Sequence, residues 1–377
     1  MAIINYLTHI RFDHGAIAHT HADACSTGMS HPLIVTDKGI REAGLLDQLL
    51  GHLPEDWHRS IYDNTPSNPT EEAVSEAHEL FASQGCDGLI AIGGGSPIDL
   101  AKAVAVAARH TGQLTDFAFI EGGADLITDA VAPVVAIPTT AGTGSEVGRA
   151  SLITLRDGRK LALISPHIIP ARSICDPDLT VNSPSWLTAA AGMDALTHCI
   201  ECYISPKVNP VADAISLDGA ARAWRWIRTA YEEPTNKQAR WEMMMAGTQG
   251  GLSFQKSLGA VHAMSHPLGS LQDPGFHHGM LNAVILPHVL RYHETAVDRH
   301  FAGLRDAFGL GFGADLPAAI EKLNRGLGLP KSLREMGVPE DCLPHMVEGA
   351  LADHSNAGNP REVGRADYEA LFQAAYG

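Results

Sequence analysis

Three short runs of branched apolar side chains, PLIVTD at 32–37, GLIAIGGG at 88–95 and APVVAIPTT at 132–140, punctuate the first half of the chain, with helical patterns between them. Strand signals alternating with helical ones predict βαβ units, hence a mainly parallel sheet covered by helices. After Asp176-Pro177-Asp178 the strand signals fade. From Ser183-Pro184 onward, Ala-, Leu- and Met-rich segments predict helices over 185–204, 210–231, 236–254, 258–270, 280–293, 315–327 and 366–376. The expected architecture is an α/β domain over 1–180 followed by an all-α domain over 181–377. At 377 residues the chain exceeds what one hydrophobic core supports, which fits two domains.

Charge and composition narrow the class. Against 27 Lys+Arg stand 43 Asp+Glu, a formal net charge of −16, and a field of that sign repels polyphosphate backbones. Nucleic acid is not an expected partner. The opening MAIINYLTHIRFDHGAIAHT lacks the apolar core of a signal peptide, and no uninterrupted apolar stretch is long enough to span a bilayer. Six thinly spread cysteines suggest reduced thiols and a cytoplasmic protein. Cys199 and Cys202 form a C-x-x-C, but inside a helical pattern without a second pair, which reads as a buried helix face.

Gly93-Gly94-Gly95-Ser96 falls between an apolar strand and a helical stretch beginning at Pro97. Free amides and the dipole at a helix N-terminus receive a pyrophosphate, and glycines let it approach the backbone. The spacing is not G-x-G-x-x-G, so context carries the reading. A second polar loop, Pro138-Thr139-Thr140-Ala141-Gly142-Thr143-Gly144-Ser145-Glu146, ends the next strand, and two such loops at strand ends suggest one shared ligand. Asp37, at the end of PLIVTD, is placed to meet ribose hydroxyls, with a helix-capping role as the competing reading. The N-terminal domain is therefore expected to bind a dinucleotide.

Asp194 and His198 stand four apart in a helical pattern, so both project from one face. His262 and His266 repeat that spacing, and His277-His278-Gly279 follow a Pro/Gly-containing loop. Any one histidine among twenty is an ordinary core or surface residue. Together with a carboxylate, they suit Fe2+, Zn2+ or a similar borderline ion rather than calcium. A metal beside a nicotinamide makes alcohol/carbonyl chemistry the leading reaction class.

With GGGSPIDLAK (93–102), PTTAGTGSEV (138–147), AAAGMDALTHCIE (189–201), GAVHAMSHPLG (259–269) and LADHSNAGNPR (351–361), the chain resembles the iron-containing (group III) metal-dependent alcohol dehydrogenase family over nearly its whole length. The resemblance implies the dehydroquinate synthase-like fold, with metal and nicotinamide held in a cleft between an α/β and a helical domain. Asp194, His198 and His262 match family metal ligands. Gly94, Gly95, Ser96 and Asp99 match the pyrophosphate loop, and Thr139, Thr140 and Thr143 the second cofactor loop. Lys160 matches a lysine near the ribose, Asp37 an acid associated with NAD preference, and His266 a histidine close to the reacting centre, here a candidate proton relay.

Two departures stand out. Many members take their last ligand from a Pro-His-Gly, whereas here the loop is longer and reads Pro-Gly-Phe-His277-His278-Gly279. The His-Gly pairing favours His278, with His277 left open. Where many members have a neutral stretch before GAVH, this chain has Ser253-Phe254-Gln255-Lys256-Ser257, and Lys256 is expected to receive a substrate carboxylate, with snorkelling to solvent as the competing reading. The sequence thus predicts an NAD-linked oxidoreductase, NAD ahead of NADP, with one divalent metal, Fe2+ ahead of Zn2+, in a homodimer or larger homo-oligomer. The other readings are a maleylacetate-reductase-like enzyme, a dehydroquinate-synthase-like lyase and a non-enzymatic binding module.

Overall fold

The computed structural model describes residue 4 and residues 8–271 and 275–377, and it divides into two compact units, 8–140 with 145–182 and 141–144 with 183–377. The first unit contains the strands β1 (His9–Phe12), β2 (Pro32–Val35), β3 (Ser60–Tyr62), β4 (Gly88–Gly93), β5 (Val134–Pro138), β6 (Ala150–Thr154), β7 (Lys160–Ile164) and β8 (Arg172–Cys175). Its helices are α1 (Thr20–Ser26), α2 (Lys38–Glu42), α3 (Leu45–Gly51), α4 (Glu71–Ser83) and α5 (Gly95–Ala107).

Six strands form one parallel sheet in the order β1-β8-β5-β4-β2-β3, while β6 and β7 pair as an antiparallel hairpin. Strand alternation divides the core between the two faces. Leu33, Val35, Leu89, Ala91, Val134 and Ala136 pack with α4 and α5, whereas Ile34, Ile90, Ile92, Val135 and Ile137 pack with α1 and α3. This double burial explains why β2, β4 and β5 read as unbroken apolar runs. The chain runs from β2 outward to β3, then returns to β2's other side as β4. That reversal is a topological switch, and the crevice at the carboxyl ends of such strands is where α/β sheets bind ligands. Asp37 follows β2, and Gly93–Gly95 form the turn from the end of β4 into α5, at those ends.

One buried cation fastens the hairpin to the sheet unit. Lys102 on α5 has no exposure, and its ammonium donates to Ser145 Oγ (2.8 Å) and to the carbonyls of Gly148 (3.0 Å) and Ala150 (2.8 Å). Burial lowers its pKa to about 8, against the pull of Asp99 and Glu146.

The second unit is helical: α6 (Ser185–Ile204), α7 (Pro210–Glu232), α8 (Lys237–Ser253), α9 (Ala260–Gly269), α10 (His278–His293), α11 (Asp298–Ala307), α12 (Leu316–Gly326), α13 (Leu343–Ala352) and α14 (Arg365–Tyr376). Seven of these lie within a few residues of the expected ranges. Two were not anticipated. In α11, DRHFAGLRDA, only Phe301 and Leu304 are buried, too few to show a helical period, whereas α13 has Pro344 in its first turn and buries Leu343, Met346, Val347 and Ala350 at helical spacing. Helix α6 is the hub, buried continuously from Thr188 to Cys202 and packed by α7, α8 and α10. Cys199 and Cys202 are buried free thiols on it, and burial raises the pKa of both.

Lys102→Met removes the donors of two carbonyls and the counter-charge of Asp99, and should cost about 3 kcal/mol, read as a lower denaturation midpoint. The pH dependence has a definite sign. The folded pKa lies below the free value of 10.5, so between about pH 8 and 10.5 the unfolded chain holds more protons and stability rises with pH. This lysine's share of that rise should vanish in the variant.

Candidate metal centre and nucleotide-binding loops

Helix α6 places Asp194 and His198 on one face, α9 brings His262, and α10 begins at His278. Their ligand atoms lie within 4.8 Å of one another, and Asp194, His198 and His262 are buried. From Asp194 Oδ1, His198 Nε2 is 3.7 Å away, His262 Nε2 3.8 Å and His278 Nε2 3.7 Å. These separations are too long for hydrogen bonds. They resemble the edges of a donor shell, since ligands about 2.1 Å from one tetrahedral ion stand about 3.4 Å apart.

The outer partners of two rings fix which nitrogen faces inward. His198 Nδ1 lies 3.2 Å from the Gly142 carbonyl, and His262 Nδ1 lies 2.6 Å from Glu201 Oε2. Both partners only accept, so Nδ1 carries the hydrogen and Nε2 turns a lone pair into the cluster. Burial pushes the pKa of His198 down to about 4, which keeps it neutral. His262 shifts the other way. Burial opposes its charged form, but the bond to Glu201 and the charges of Glu201 and Asp194 raise its pKa, so a proton competes for Nε2.

One amide faces these acceptors. Asn282 Nδ2 is 2.7 Å from Asp194 Oδ1, 3.1 Å from His278 Nε2 and 3.2 Å from His262 Nε2. Its two hydrogens are too few for the lone pairs pointing at it, and its own Oδ1 is buried without a partner among the described residues. A cluster with surplus inward lone pairs and a buried carboxylate fits a divalent cation.

The ambiguity of the last ligand has a geometric answer: the convergent set contains His278, while His277 packs edge-on against Trp186 with ring centroids 5.4 Å apart. The His-Gly pairing has a steric cause. A Cβ on Gly279 would lie 2.2 Å from the Ala190 carbonyl oxygen, so only glycine lets the start of α10 approach α6. Gln272, Asp273 and Pro274 of the preceding loop lie outside the described residues.

His266 is buried beside the cluster, stacked on His278 at 5.5 Å, with Nδ1 2.8 Å from Asp353 Oδ2. Burial acts against ionisation of Asp353, but the charge and hydrogen bond of His266 hold it well below the usual carboxylate range. Burial also pushes the adjacent His354 down to about 4.

In the first unit, Gly93 has φ +153, and a Cβ there would meet Pro97 at 2.6 Å, so the β4–α5 turn requires glycine. Gly94 caps α5 without a side-chain bond, leaving the amides of Gly95 and Ser96 at the helix start. An added Cβ on Gly94 would reach Thr140 Oγ1 at 3.4 Å, so the two expected cofactor loops adjoin, and Thr139 Oγ1 is buried without a partner among the described residues. Adjoining loops that offer helix-start amides and an unsatisfied hydroxyl fit an anionic, hydroxyl-rich ligand. Lys160 donates to Asn68 Oδ1 at 2.7 Å. Asp37 caps α2 through the Ile40 amide at 2.8 Å, and burial raises its pKa against that bond. Thr143 lies in the 141–144 segment of the helical unit.

Asp99, in the expected pyrophosphate loop, also ties α5 to β6: Oδ1 accepts from Ser145 Oγ at 2.6 Å and Oδ2 from the Leu152 amide at 3.1 Å. One expectation needs correction. Lys256 neither snorkels nor stands ready for a substrate carboxylate. It is 1% exposed, and its ammonium is taken by the Asp213 carboxylate and, at 3.2 Å, by the Tyr203 carbonyl. A buried cation requires a counter-ion, and α7 supplies one. Three participants were missed. Glu201 and Asn282 had a helical signal, seven residues after Asp194 and four after His278, while Asp353 meets His266 only through tertiary folding.

The family model for iron-containing alcohol dehydrogenase matches residues 8–177, and the model for the C-terminal part of the Fe-containing alcohol dehydrogenase family matches residues 188–376. The chain belongs to the iron-containing alcohol dehydrogenase family. It is 47% identical to a 4-hydroxybutyrate dehydrogenase of Cupriavidus necator over 99% of both chains. The crystal structure of a 1,3-propanediol oxidoreductase superposes with a TM-score of 0.93 at 37% identity, covering 100% of both chains. A sulfoacetaldehyde reductase from Bifidobacterium kashiwanohense, solved in complex with NAD+, gives 0.86 at 26% identity over 100% of this chain and 98% of that one. As an iron-containing alcohol dehydrogenase, the chain is a metal-dependent, NAD(P)-linked oxidoreductase that interconverts an alcohol and a carbonyl compound. Among the described residues no helix is long and apolar enough to cross a membrane.

Metal content of three variants checks the geometry. His278→Ala should lose the ion and His277→Ala should keep it, while Gly279→Ala should lose it by pushing α10 off α6.

Proposed function

We propose that this chain is an NAD-dependent dehydrogenase of an ω-hydroxy acid, or a reductase of the matching semialdehyde, using one Fe2+ held by Asp194, His198, His262 and His278. The observation that carries the reading is the convergence of a carboxylate and imidazole lone pairs on one buried point supplied with too few hydrogens. The 47% identical 4-hydroxybutyrate dehydrogenase supports a carboxylate-bearing substrate. A divalent ion there supplies Lewis acidity toward a substrate oxygen, and NAD supplies the hydride acceptor.

The chain's own residues do the rest. Asp353 accepts the Nδ1 hydrogen of His266, which leaves His266 Nε2 to exchange a proton with the reacting hydroxyl or a water. The glycine turn after β4 and the start of α5 receive the pyrophosphate, with Thr139, Thr140, Thr143 and Lys160 completing the cofactor site. Asp37 sits two residues after β2, at the switch point, where its carboxylate disfavours a 2′-phosphate and so selects NAD over NADP. In this reading residues 1–180 bind the nucleotide and 181–377 the metal. The enzyme is cytoplasmic with reduced thiols, in keeping with six free cysteines. It assembles as a homodimer or larger oligomer, in keeping with an exposed edge strand, β1.

Purified enzyme loaded with Fe2+ should reduce NAD with 4-hydroxybutyrate about ten- to a hundredfold more efficiently, as kcat/KM, than with the neutral 1,4-diol, the worth of one charge-assisted hydrogen bond. Equal efficiencies would reject the hydroxy-acid assignment, and turnover without NADH would indicate a lyase. Because Lys256 is paired to Asp213, Lys256→Met should lower stability and depress both substrates alike.

Asp37→Gly should narrow the NAD-over-NADP ratio of kcat/KM with little loss of stability, since glycine at a helix cap costs only a few tenths of a kcal/mol. A wild type that uses NADP better would remove Asp37 from this role.

A further inference from the structure

We propose that Glu201 sets ion affinity at the Asp194 centre by dictating which nitrogen of His262 carries the hydrogen, an inference that rests on the metal-centre reading above. Glu201 is 2% exposed on α6, and each of its oxygens has its own donor. Oε1 accepts the Val261 amide at 2.7 Å, and Oε2 accepts His262 Nδ1 at 2.6 Å. A carboxylate is the one side-chain group of this shape that accepts at both ends. While it does so, the neutral ring of His262 carries its hydrogen on Nδ1 and turns the Nε2 lone pair toward Asp194 Oδ1.

The surroundings hold Glu201 in that task. Helix α9 is preceded by Gly259, which provides no side-chain cap, and its first free amides are taken from outside: Ala260 by Asn359 Oδ1 at 2.8 Å and Val261 by Glu201. The carboxylate therefore sits at the positive end of the helix that carries His262. A Cβ on Gly259 would lie 3.0 Å from Glu201 Oε1, so the carboxylate is in close contact with the backbone at the helix start. With both the Glu201 and His262 side chains 1% exposed, solvent does not compete for the bond.

An amide at this position gives a result that a packing role cannot. In Glu201→Gln the Val261 amide keeps the carboxamide oxygen, so the NH2 end faces His262 Nδ1. Two donors cannot face each other, and His262 resolves the clash by moving its hydrogen to Nε2, where it points at the ion. In Glu201→Ala both tautomers are open, so the ion can still select the one it needs, although the helix cap is lost. Glu201 is thus a positioning residue whose near-isosteric replacement is worse for the ion than its truncation. A residue that merely fills space would give the reverse order.

The test uses full-length protein stripped of metal, with Zn2+ as the probe, in competition with a chromophoric chelator. Wild type should bind one Zn2+ per chain. Glu201→Gln should raise the Zn2+ dissociation constant about a hundredfold with a near-normal melting temperature, and Glu201→Ala about tenfold with a lower one, within the range of such outer partners. Wild-type affinity in Glu201→Gln, or weaker binding by Glu201→Ala than by Glu201→Gln, would overturn the proposal. Should either variant not fold, ring-nitrogen NMR of metal-free wild type at alkaline pH decides: neutral His262 protonated on Nδ1 supports it, and neutral His262 protonated on Nε2 overturns it. Wild type that binds no Zn2+ at all would instead bring down the metal-centre reading, and this proposal with it.

Discussion

Helix α6 is buried from Thr188 to Cys202, yet it carries two carboxylates and an imidazole on one face, and the helical unit is arranged to satisfy them. Each imidazole of α6 and α9 gives its Nδ1 hydrogen to a partner outside the cluster, so the lone pairs turn inward against Asp194. Surplus acceptors in a region of low dielectric are costly unless a cation meets them. The positions of the neighbouring helices follow from that constraint. Helix α10 approaches closely enough to bring His278 only because residue 279 is glycine, and α9 is held at its first turn by Glu201 and Asn359.

The same requirement governs the buried charges away from the cluster. Lys102 and Asp99 are drawn together with Ser145 beneath the β6–β7 hairpin, where one ammonium serves two backbone carbonyls. Lys256 is neutralised by Asp213 and joins the end of α8 to α6 and α7. Neither lysine is free for a ligand. In both places charge holds irregular backbone, and among the buried groups with unmet hydrogen-bonding capacity Thr139 lies at a candidate cofactor loop and Asn282 at the metal cluster.

How much of this could be read in advance varied with the range of the interaction. The strands ending at Val35, Gly93 and Pro138 stood out because burial on both sheet faces leaves no polar positions in them. The helices from 185 to 204 and 210 to 232 stood out because their length gives the helical period many turns to appear. Helix α11, with only Phe301 and Leu304 buried, shows no such period. Spacing of four residues placed Asp194 with His198, but nothing local tells whether a lysine such as Lys256 meets solvent, substrate or an acid forty-three residues earlier.

The sequence by itself determined the α/β and helical halves, the glycine turn at a helix start and the set of groups from which a donor cluster could be drawn. Those features depend on backbone propensity, period and residue chemistry within a turn or two of the chain. Tertiary structure alone decided that His278 rather than His277 joins Asp194, that Lys256 is neutralised by Asp213, and that Glu201 and Asp353 hold the rings of His262 and His266. Each of those outcomes depends on which side chain from a distant segment arrives within about 3 Å, a distance set by helix packing.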